Sequence, residues 1–225
     1  MSFELLLKKA FARAGFSVQR LPVQAWDDDA LFKELLREVE GVTMVDPLRC
    51  YMLYQLAKRA KGLPGDAAEV GVYRGGTARL IGRTLAGSGK KLFLFDTFAG
   101  MPETDPAKDT HKRGDFADTS AEGVKLTLMN VENVELRPGF FPETARGLAE
   151  QRYAFVHVDV DIHRSIRDSC EYFYPRLVPG GVLVFDDYGA PTCPGVKAAV
   201  DVFFAEAREP TLYLPTGQCL VFKTR

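Results

Sequence analysis

From residue 66 onward, short apolar runs alternate with stretches of helical periodicity, and this alternation limits the possible folds more than any other feature. The apolar runs are five to seven residues long: AAEVGV (67–72), KLFLFD (91–96), VELRP (134–138), AFVHVDV (154–160) and GVLVFDD (181–187). Strands that are apolar at successive positions are typical of a parallel sheet covered by helices on both faces. The sequence therefore predicts a doubly wound α/β domain.

Two helical stripes and a terminal hairpin complete this predicted domain. One stripe lies between the fourth and fifth runs and consists of Ile166, Cys170, Phe173, Tyr174 and Leu177. The other follows the helix-opening Pro194 and consists of Val196, Ala199, Val200, Phe203, Phe204 and Ala207. The chain ends on TLYLPTGQCLVFKT, where Thr216 and Gly217 indicate the turn of an antiparallel hairpin.

The length of 225 residues suits a single compact unit. Within it we expect residues 1–62 to form an N-terminal helical cap, with one helix over 47–61, and residues 63–225 to form the α/β domain. The first residues, MSFELLLKKAFARAG, predict an amphipathic helix. We expect no signal peptide in this stretch, because Glu4, Lys8 and Lys9 interrupt the apolar core that a signal peptide needs.

Charge and cysteine usage exclude several classes of partner. The formal net charge of −1 gives no basic field for nucleic acid or an anionic membrane. No apolar run approaches the roughly 18 residues of a membrane span. The four cysteines are widely spaced and contain no CxxC pair, so we expect reduced thiols and a cytoplasmic location. As partners we expect a small-molecule hydroxyl acceptor and further copies of the chain in a homo-oligomer.

Carboxylates lie at the ends of three of the apolar runs. Asp96 ends the second run, Asp159 and Asp161 lie at the end of the fourth, and Asp186 and Asp187 end the fifth. In open parallel sheets, ligands bind beyond the carboxyl ends of the strands. These acids are therefore predicted to face the ligand.

Two adjacent parallel strands would place Asp159 beside the Asp186–Asp187 pair. Clustered carboxylates repel each other, and a hard divalent cation neutralises them. Oxygen-only ligands favour Mg²⁺ over zinc, so we expect Mg²⁺ on Asp159, Asp186 and Asp187, with Asp161 either bound directly or behind the ligands. Asp is also common at helix caps and turns, so the Asp186–Asp187 pair alone does not establish a metal site.

The glycine-rich turn EVGVYRGG follows the first run. Gly71, Gly75 and Gly76 have the spacing G-x-x-x-G-G, not the G-x-G-x-x-G of a pyrophosphate site. Glu69 would repel a phosphate and attract an ammonium group, and Asp96 lies where Rossmann domains place the acid that accepts hydrogen bonds from ribose hydroxyls. A cofactor with a ribose, an amino group and no phosphate is S-adenosylmethionine (SAM). A plain strand-to-helix connection would also explain the glycines.

One long polar segment breaks the alternation of strands and helices. TFAGMPETDPAKDTHKRGDFADTS, residues 97–120, has no periodicity, and loops of this length are either lids or disordered. Its start at a ligand-side strand end favours a lid. We expect His111 within it to be solvated, His157 to be buried and paired with a neighbour, and His163 to be a candidate for a role near the substrate.

Several motifs together resemble the macrocin O-methyltransferase family in order and spacing over residues 43–204. The motifs are TM at 43–44, EVGVYRGG, FDTFAGMPE, GDF at 114–116, PGFFPET, VDVDIHRS and LVPGGVLVFDDYG. The resemblance implies a Rossmann-like class I SAM-dependent methyltransferase fold. It also implies a SAM- and Mg²⁺-dependent O-methyltransferase that acts on sugar hydroxyls of natural products.

The same resemblance implies roles for individual residues. The positions around SAM, with Gly75 of the glycine-rich turn, are Thr43, Met44, Glu69, Gly71, Tyr73, Gly75, Asp96, Thr97, Phe98, Gly100, Ser120, Gly139 and Phe140. Asp159, Asp186 and Asp187 fall on the metal, and Asp159 is the best candidate for the general base. Tyr73 stands where the family often has Trp, and His163 where it often has Tyr.

Three other functions are compatible with parts of this pattern. A catechol-type O-methyltransferase would share every feature and accept a phenol. A nicotinamide-dependent oxidoreductase would lack its usual G-x-G-x-x-G turn, and Glu69 before the turn argues against it. A non-catalytic Rossmann-type binding module would not need the acid cluster. The family resemblance favours the sugar O-methyltransferase over these three, and substrate profiling would separate it from the catechol type.

Overall fold

The computed structural model describes residues 3–13, 15 and 24–225 of the chain. It divides into two units, Met1–Glu34 and Leu35–Arg225. In the first unit, helix α1 (Phe3–Arg13) confirms the predicted N-terminal helix, and the Trp26 and Phe32 rings meet edge to face with centroids 5.5 Å apart. The division of the chain at residue 62 stays a prediction.

A seven-stranded sheet forms the centre of the second unit. Its strands are β1 (Asp66–Val70), β2 (Leu92–Asp96), β3 (Val134–Pro138), β4 (Tyr153–Val158), β5 (Leu177–Phe185), β6 (Leu212–Tyr213) and β7 (Cys219–Phe222). Their order is β3-β2-β1-β4-β5-β7-β6. The first five are parallel, and β7 pairs antiparallel with both β5 and β6. This confirms the predicted fold class with its terminal hairpin.

Helices precede the first strand in the chain and connect the later ones. They are α2 (Ala30–Val39), α3 (Pro47–Ala60), α4 (Gly76–Leu85), α5 (Ala121–Thr127), α6 (His163–Phe173) and α7 (Pro194–Phe204). Helix α3 begins at Pro47 because the Asp46 carboxylate accepts hydrogen bonds from the backbone N–H of Leu48 (2.9 Å) and Arg49 (3.2 Å). Helix α3 packs on α4, β4 and β5.

The core lies between the sheet and its helices. All six residues of β4 are buried, as expected for a central strand covered on both faces. Phe95 of β2 meets Phe141 and Phe173 edge to face, with ring centroids 5.1 and 6.1 Å away. Across the described residues, no helix combines the length and apolar content needed to cross a membrane.

The predicted helical stripe up to Leu177 is too long. Helix α6 ends at Phe173, a 3₁₀ turn covers Tyr174–Arg176, and Leu177 is the first residue of β5. Pro175 lies inside this turn, and a proline cannot donate the backbone hydrogen bond that would continue an α-helix. Ala207 likewise lies beyond the end of α7 at Phe204.

Candidate active site

The carboxyl ends of β1, β2, β4 and β5 open onto a cavity of about 400 Å³ within residues 42–193. A cavity of this size is within the usual range for small-molecule sites. Nine of the thirteen predicted cofactor positions line it: Thr43, Met44, Gly71, Tyr73, Asp96, Thr97, Gly100, Gly139 and Phe140. The three predicted metal positions, Asp159, Asp186 and Asp187, line it as well, and so does Asp161, so the cofactor positions and the acid cluster meet in one place.

Gly71 allows the turn after β1 to approach the end of β4. Its φ is +86°, and a Cβ there would lie 1.7 Å from the carbonyl oxygen of Asp159. Only glycine fits such a position. A Cβ on Gly76, at the start of α4, would lie 2.6 Å from the Cβ of Thr43, so this helix end lies directly against the predicted cofactor residue.

Asp96 is held by backbone groups on both sides. Its Oδ2 accepts hydrogen bonds from the N–H groups of Val72 (2.7 Å) and Tyr73 (2.9 Å), and its Oδ1 accepts one from Phe98 (2.7 Å). The carboxylate thereby ties the glycine-rich turn to the beginning of the 97–120 segment. Its contact with a ribose stays a prediction.

Four predicted cofactor residues are not among those that line the cavity. Gly75 precedes α4 with a φ of +85°, and Phe98 also has a positive φ, of +50°. Ser120 caps α5 by accepting a hydrogen bond from the N–H of Gly123 at 3.0 Å. Glu69 is fully buried in β1, and its role toward an ammonium group stays a prediction.

His157 connects Glu69 to Asp186. Its Nδ1 lies 2.8 Å from Oε1 of Glu69 and its Nε2 lies 3.4 Å from Oδ1 of Asp186. Although burial acts against the charged ring, the two carboxylates hold the pKa of His157 well above its ordinary value. The expectation of a buried, paired His157 is confirmed. Oε2 of Glu69 has no hydrogen-bond partner among the described residues.

Asp186 has a donor on each of its oxygens. Oδ1 accepts a hydrogen bond from Nε2 of Gln218 (2.8 Å), and Oδ2 accepts one from Nη1 of Arg49 (2.8 Å). Burial acts to raise the pKa of Asp186, but His157, Arg49 and Gln218 hold it below its ordinary value. Asp186 is therefore an anion already neutralised by the protein.

Arg49 is the functional residue that sequence reasoning missed. Its Nη1 also donates to Oδ1 of Asp187 (2.8 Å), and its Nε donates to the carbonyl oxygen of Thr216 (3.0 Å) in the terminal hairpin. Nothing in the local sequence of α3 indicates this role, because the partners lie 137, 138 and 167 residues away.

Asp159 lacks such support. Among the described residues, none donates a hydrogen bond to its carboxylate. Burial and the neighbouring charge of Asp186 hold the pKa of Asp159 well above its ordinary value. Burial and Asp187 raise the pKa of Asp161 to about 7. Asp159, Asp161 and Asp187 each offer an oxygen within 4.8 Å of the others, and Asp159, Asp186 and His157 form a second such group.

The 97–120 segment is fixed to the domain at several points. Asp109 is buried, and its Oδ1 accepts a hydrogen bond from the N–H of His163 (2.8 Å), the first residue of α6. The hydroxyl of Tyr73 donates to the Asp118 carboxylate at 2.9 Å, and Arg74 forms an ion pair with the same carboxylate. The side chain of His163 is not among the groups that line the cavity.

The expectation that His111 is solvated is wrong. Its side chain is 22% exposed, its ring lies 5.3 Å from that of Phe116, and its Nε2 lies 3.7 Å from Sγ of Cys193. The segment folds back over the cavity rim and carries the imidazole to the loop after β5, a contact across 82 residues that local composition does not predict.

The family model for macrocin-O-methyltransferase (TylF) matches residues 37–211, which is more than half of the chain. The chain belongs to the macrocin-O-methyltransferase family. The sequence resemblance to this family is thereby confirmed, over a range that contains the glycine-rich turn, the 97–120 segment and all five acids that line the cavity.

A curated relative in Streptomyces olivaceus, 8-demethyl-8-(2,3-dimethoxy-alpha-L-rhamnosyl)-tetracenomycin-C 4'-O-methyltransferase, is 31% identical over 60% of this chain and 57% of its own length. The matches span less than two thirds of the length of the curated relatives.

Two solved structures share the fold of this family member. The O-methyltransferase NovP is 23% identical with a TM-score of 0.76, over 88% of this chain and all of NovP. The O-methyltransferase TomG from Streptomyces achromogenes, solved in complex with SAM, is 14% identical with a TM-score of 0.59 over the whole of both chains. At these identities the likeness establishes the fold alone.

Proposed function

We propose that this protein is a SAM- and Mg²⁺-dependent O-methyltransferase that methylates a hydroxyl of a sugar or glycosylated natural product. The observation that supports it most is the shared cavity. The glycine-rich turn with Asp96 and the carboxylates of Asp159 and Asp161 face the same space at the sheet edge. In this space a methyl donor and an ionising hydroxyl would meet.

The residues of the cavity fit SAM. The approach of Gly71 to β4 leaves backbone rather than side chains at the end of β1, where an amino acid moiety can approach closely. Asp96 lines the cavity beside Gly139, whose N–H donates to the Asp96 carbonyl oxygen at 2.9 Å. The SAM complex of TomG, which has the same fold, supports the same choice of cofactor.

The donor set also fits Mg²⁺. Asp159, Asp161 and Asp187 supply only oxygen atoms, the ligands that Mg²⁺ prefers. Asp159 and Asp187 would hold the ion. For the third position Asp186 is the predicted ligand, and Asp161 is a second candidate because it has no arginine partner. Calorimetric Mg²⁺ titration of Asp186→Asn and Asp161→Asn separates the two, since only loss of a ligand weakens binding strongly.

The chemistry divides between the bound groups and the chain. Bound SAM would supply an electrophilic methyl group, and bound Mg²⁺ a Lewis acid that makes a sugar hydroxyl more acidic. Asp159 accepts the hydroxyl proton, for which it must lie within hydrogen-bond reach of the acceptor. The cavity walls orient the acceptor oxygen toward the methyl group, and such positioning can supply on the order of 7–11 kcal/mol toward the barrier.

The acceptor class follows from the relatives. The Streptomyces olivaceus relative methylates a rhamnosyl group by its name, and a Micromonospora griseorubida relative is named mycinamicin III 3''-O-methyltransferase. We extend this class to the chain. The proposed reaction needs neither nucleic acid nor a membrane, and we place the protein in the cytoplasm as a homo-oligomer, which size-exclusion chromatography with light scattering would test.

A panel screen tests the function. The protein with SAM and Mg²⁺ is incubated with glycosides, catechols and simple sugars, and release of S-adenosylhomocysteine is measured. We expect turnover with glycosides. Turnover confined to catechols would show that the acceptor is a catechol and not a glycoside. A thermal shift with NAD but not with SAM would contradict SAM as the cofactor.

The 97–120 segment is the proposed lid. Its contacts through Asp109, His111 and Asp118 reach three different parts of the domain, so its closure would exclude water from the cavity. Hydrogen exchange with and without SAM plus acceptor should show protection across the segment. Equal exchange in both states would make it a static loop.

A further inference from the structure

A histidine, a cysteine and an aspartate from three separate elements meet at the lid side of the cavity. Sγ of Cys193 lies 3.4 Å from Oδ1 of Asp161 and 3.7 Å from Nε2 of His111. All three donor atoms lie within 4.8 Å of one another. All three residues line the cavity, so a small ion can reach them. Methyl transfer, as derived above, uses neither the imidazole nor the thiol.

The separations match a tetrahedral zinc site. Zinc binds sulfur at about 2.3 Å and nitrogen or carboxylate oxygen at about 2.0–2.2 Å, so sulfur and a second ligand lie roughly 3.5 Å apart around one ion. The two measured distances, 3.4 and 3.7 Å, bracket that value. The thiol and imidazole also select zinc over Mg²⁺, which prefers oxygen ligands.

The surroundings of His111 provide a second, independent observation. Its Nδ1 lies 3.2 Å from Oδ2 of Asp115, four residues further along the lid. Histidines that bind metals usually donate the proton of the other ring nitrogen to a carboxylate, which fixes the ring and its tautomer. A proton shared with Asp115 on Nδ1 would leave Nε2, the ring nitrogen nearer Cys193, free to bind a metal.

We propose that His111, Cys193 and Asp161 bind Zn²⁺, with the fourth coordination position open to the cavity. When zinc binds, the thiol of Cys193 loses its proton to solvent and its sulfur binds the ion. Burial raises the pKa of this thiol in the metal-free protein, and zinc deprotonates a coordinating thiol outright. The ion would join the proposed lid to the loops after β4 and β5. The site goes beyond the proposed function, because its formation requires neither SAM nor an acceptor. With Asp161 on zinc, Asp186 is the remaining candidate for the third Mg²⁺ position.

Cobalt titration tests this site directly. Metal-depleted protein is titrated with Co²⁺, and the thiolate-to-cobalt charge-transfer absorption in the near ultraviolet is recorded. We expect one Co²⁺ per chain, its displacement by Zn²⁺, and no displacement by Mg²⁺ in large excess. Cys193→Ser should remove the charge-transfer band. Asp115→Asn should weaken Co²⁺ binding by about 10–100-fold through the histidine.

Cys50→Ser is the matched control. Cys50 is the second cysteine near the acids, and a serine hydroxyl can donate to the carbonyl oxygen of Val45 as its thiol does at 3.4 Å. The band should survive in this variant. A wild-type protein without the band, or a band that persists in Cys193→Ser, overturns the proposal. If circular dichroism shows that Cys193→Ser is unfolded, His111→Gln in the lid decides, and unchanged Co²⁺ affinity in it overturns the site.

Discussion

Asp96 and Asp159 end the strands on either side of β1, and their carboxylates have opposite surroundings. Three backbone N–H groups donate to Asp96, at 2.7–2.9 Å. Among the described residues none donates to Asp159, and its pKa is raised by burial and by Asp186. A carboxylate whose oxygens accept backbone hydrogen bonds stabilises the fold, whereas a partly buried one without donors costs stability and indicates where a ligand or ion completes the site.

The largest expected effect concerns Asp159, the carboxylate to which no described residue donates a hydrogen bond. Asp159→Asn should lower the rate of methyl transfer by about 10²–10⁴-fold, the usual range for loss of a general base. Mg²⁺ binding should weaken as well, because a proposed ligand is lost. SAM affinity, measured by calorimetry, should stay unchanged, since Asp96 and the glycine-rich turn are intact. Wild-type turnover in this variant would move the base to another residue.

Asp96, whose carboxylate accepts three backbone hydrogen bonds, should respond in the opposite way, with a loss of stability and of SAM affinity. Asp96→Asn places an amide where a carboxylate accepted three hydrogen bonds, so the free energy of unfolding should fall by about 1.5–3 kcal/mol. Urea denaturation measures the loss, and SAM affinity should fall with it. Asp118→Asn is the control, because its side chain is 59% exposed and its loss should change stability little. Equal stabilities of Asp96→Asn and wild type would remove the contrast.

Removing a charge from the acid cluster should raise the stability of the metal-free protein. Asp161 lies against Asp187 and Asp159, and burial together with the charge of Asp187 raises its pKa to about 7, so Asp161→Asn relieves repulsion. Its Tm in chelator should rise by about 2–4 °C, the shift that about 1 kcal/mol gives in a domain of this size. A lower Tm would show that Asp161 is needed for the fold.

Glu209 is a hydrogen-bonded carboxylate that does not line the cavity, so its substitution should have the smallest effect on methyl transfer. It accepts hydrogen bonds from Tyr174 and Thr224, and the Tyr174 hydroxyl bond is the main cause that lowers the pKa of Glu209 to about 2. Its stabilisation is therefore present above the unfolded value of 4.5 and is lost as pH falls through about 2. Thermal unfolding of Glu209→Gln should show a Tm deficit at pH 7 that closes over this window. A deficit that is independent of pH would point to packing instead.

The sequence predicts the parts of this site that follow from strand order. Apolar runs identify β1 to β5, and parallel strand ends bring Asp159 to the Asp186–Asp187 pair. It does not predict Arg49 on Asp186 and Asp187, because that contact depends on where α3 packs in three dimensions. Nor does it predict the position of His111, because a polar loop without periodicity carries no signal for its folded path.

One paired measurement tests whether Asp159 and its neighbouring carboxylates hold a cation that methyl transfer needs. Turnover of a glycoside acceptor and SAM affinity are measured on the same protein, first with Mg²⁺ and then in excess EDTA. We expect chelation to abolish S-adenosylhomocysteine release while the Kd for SAM stays the same, because other strand ends hold the cofactor. Full turnover in EDTA would contradict a catalytic cation at these carboxylates.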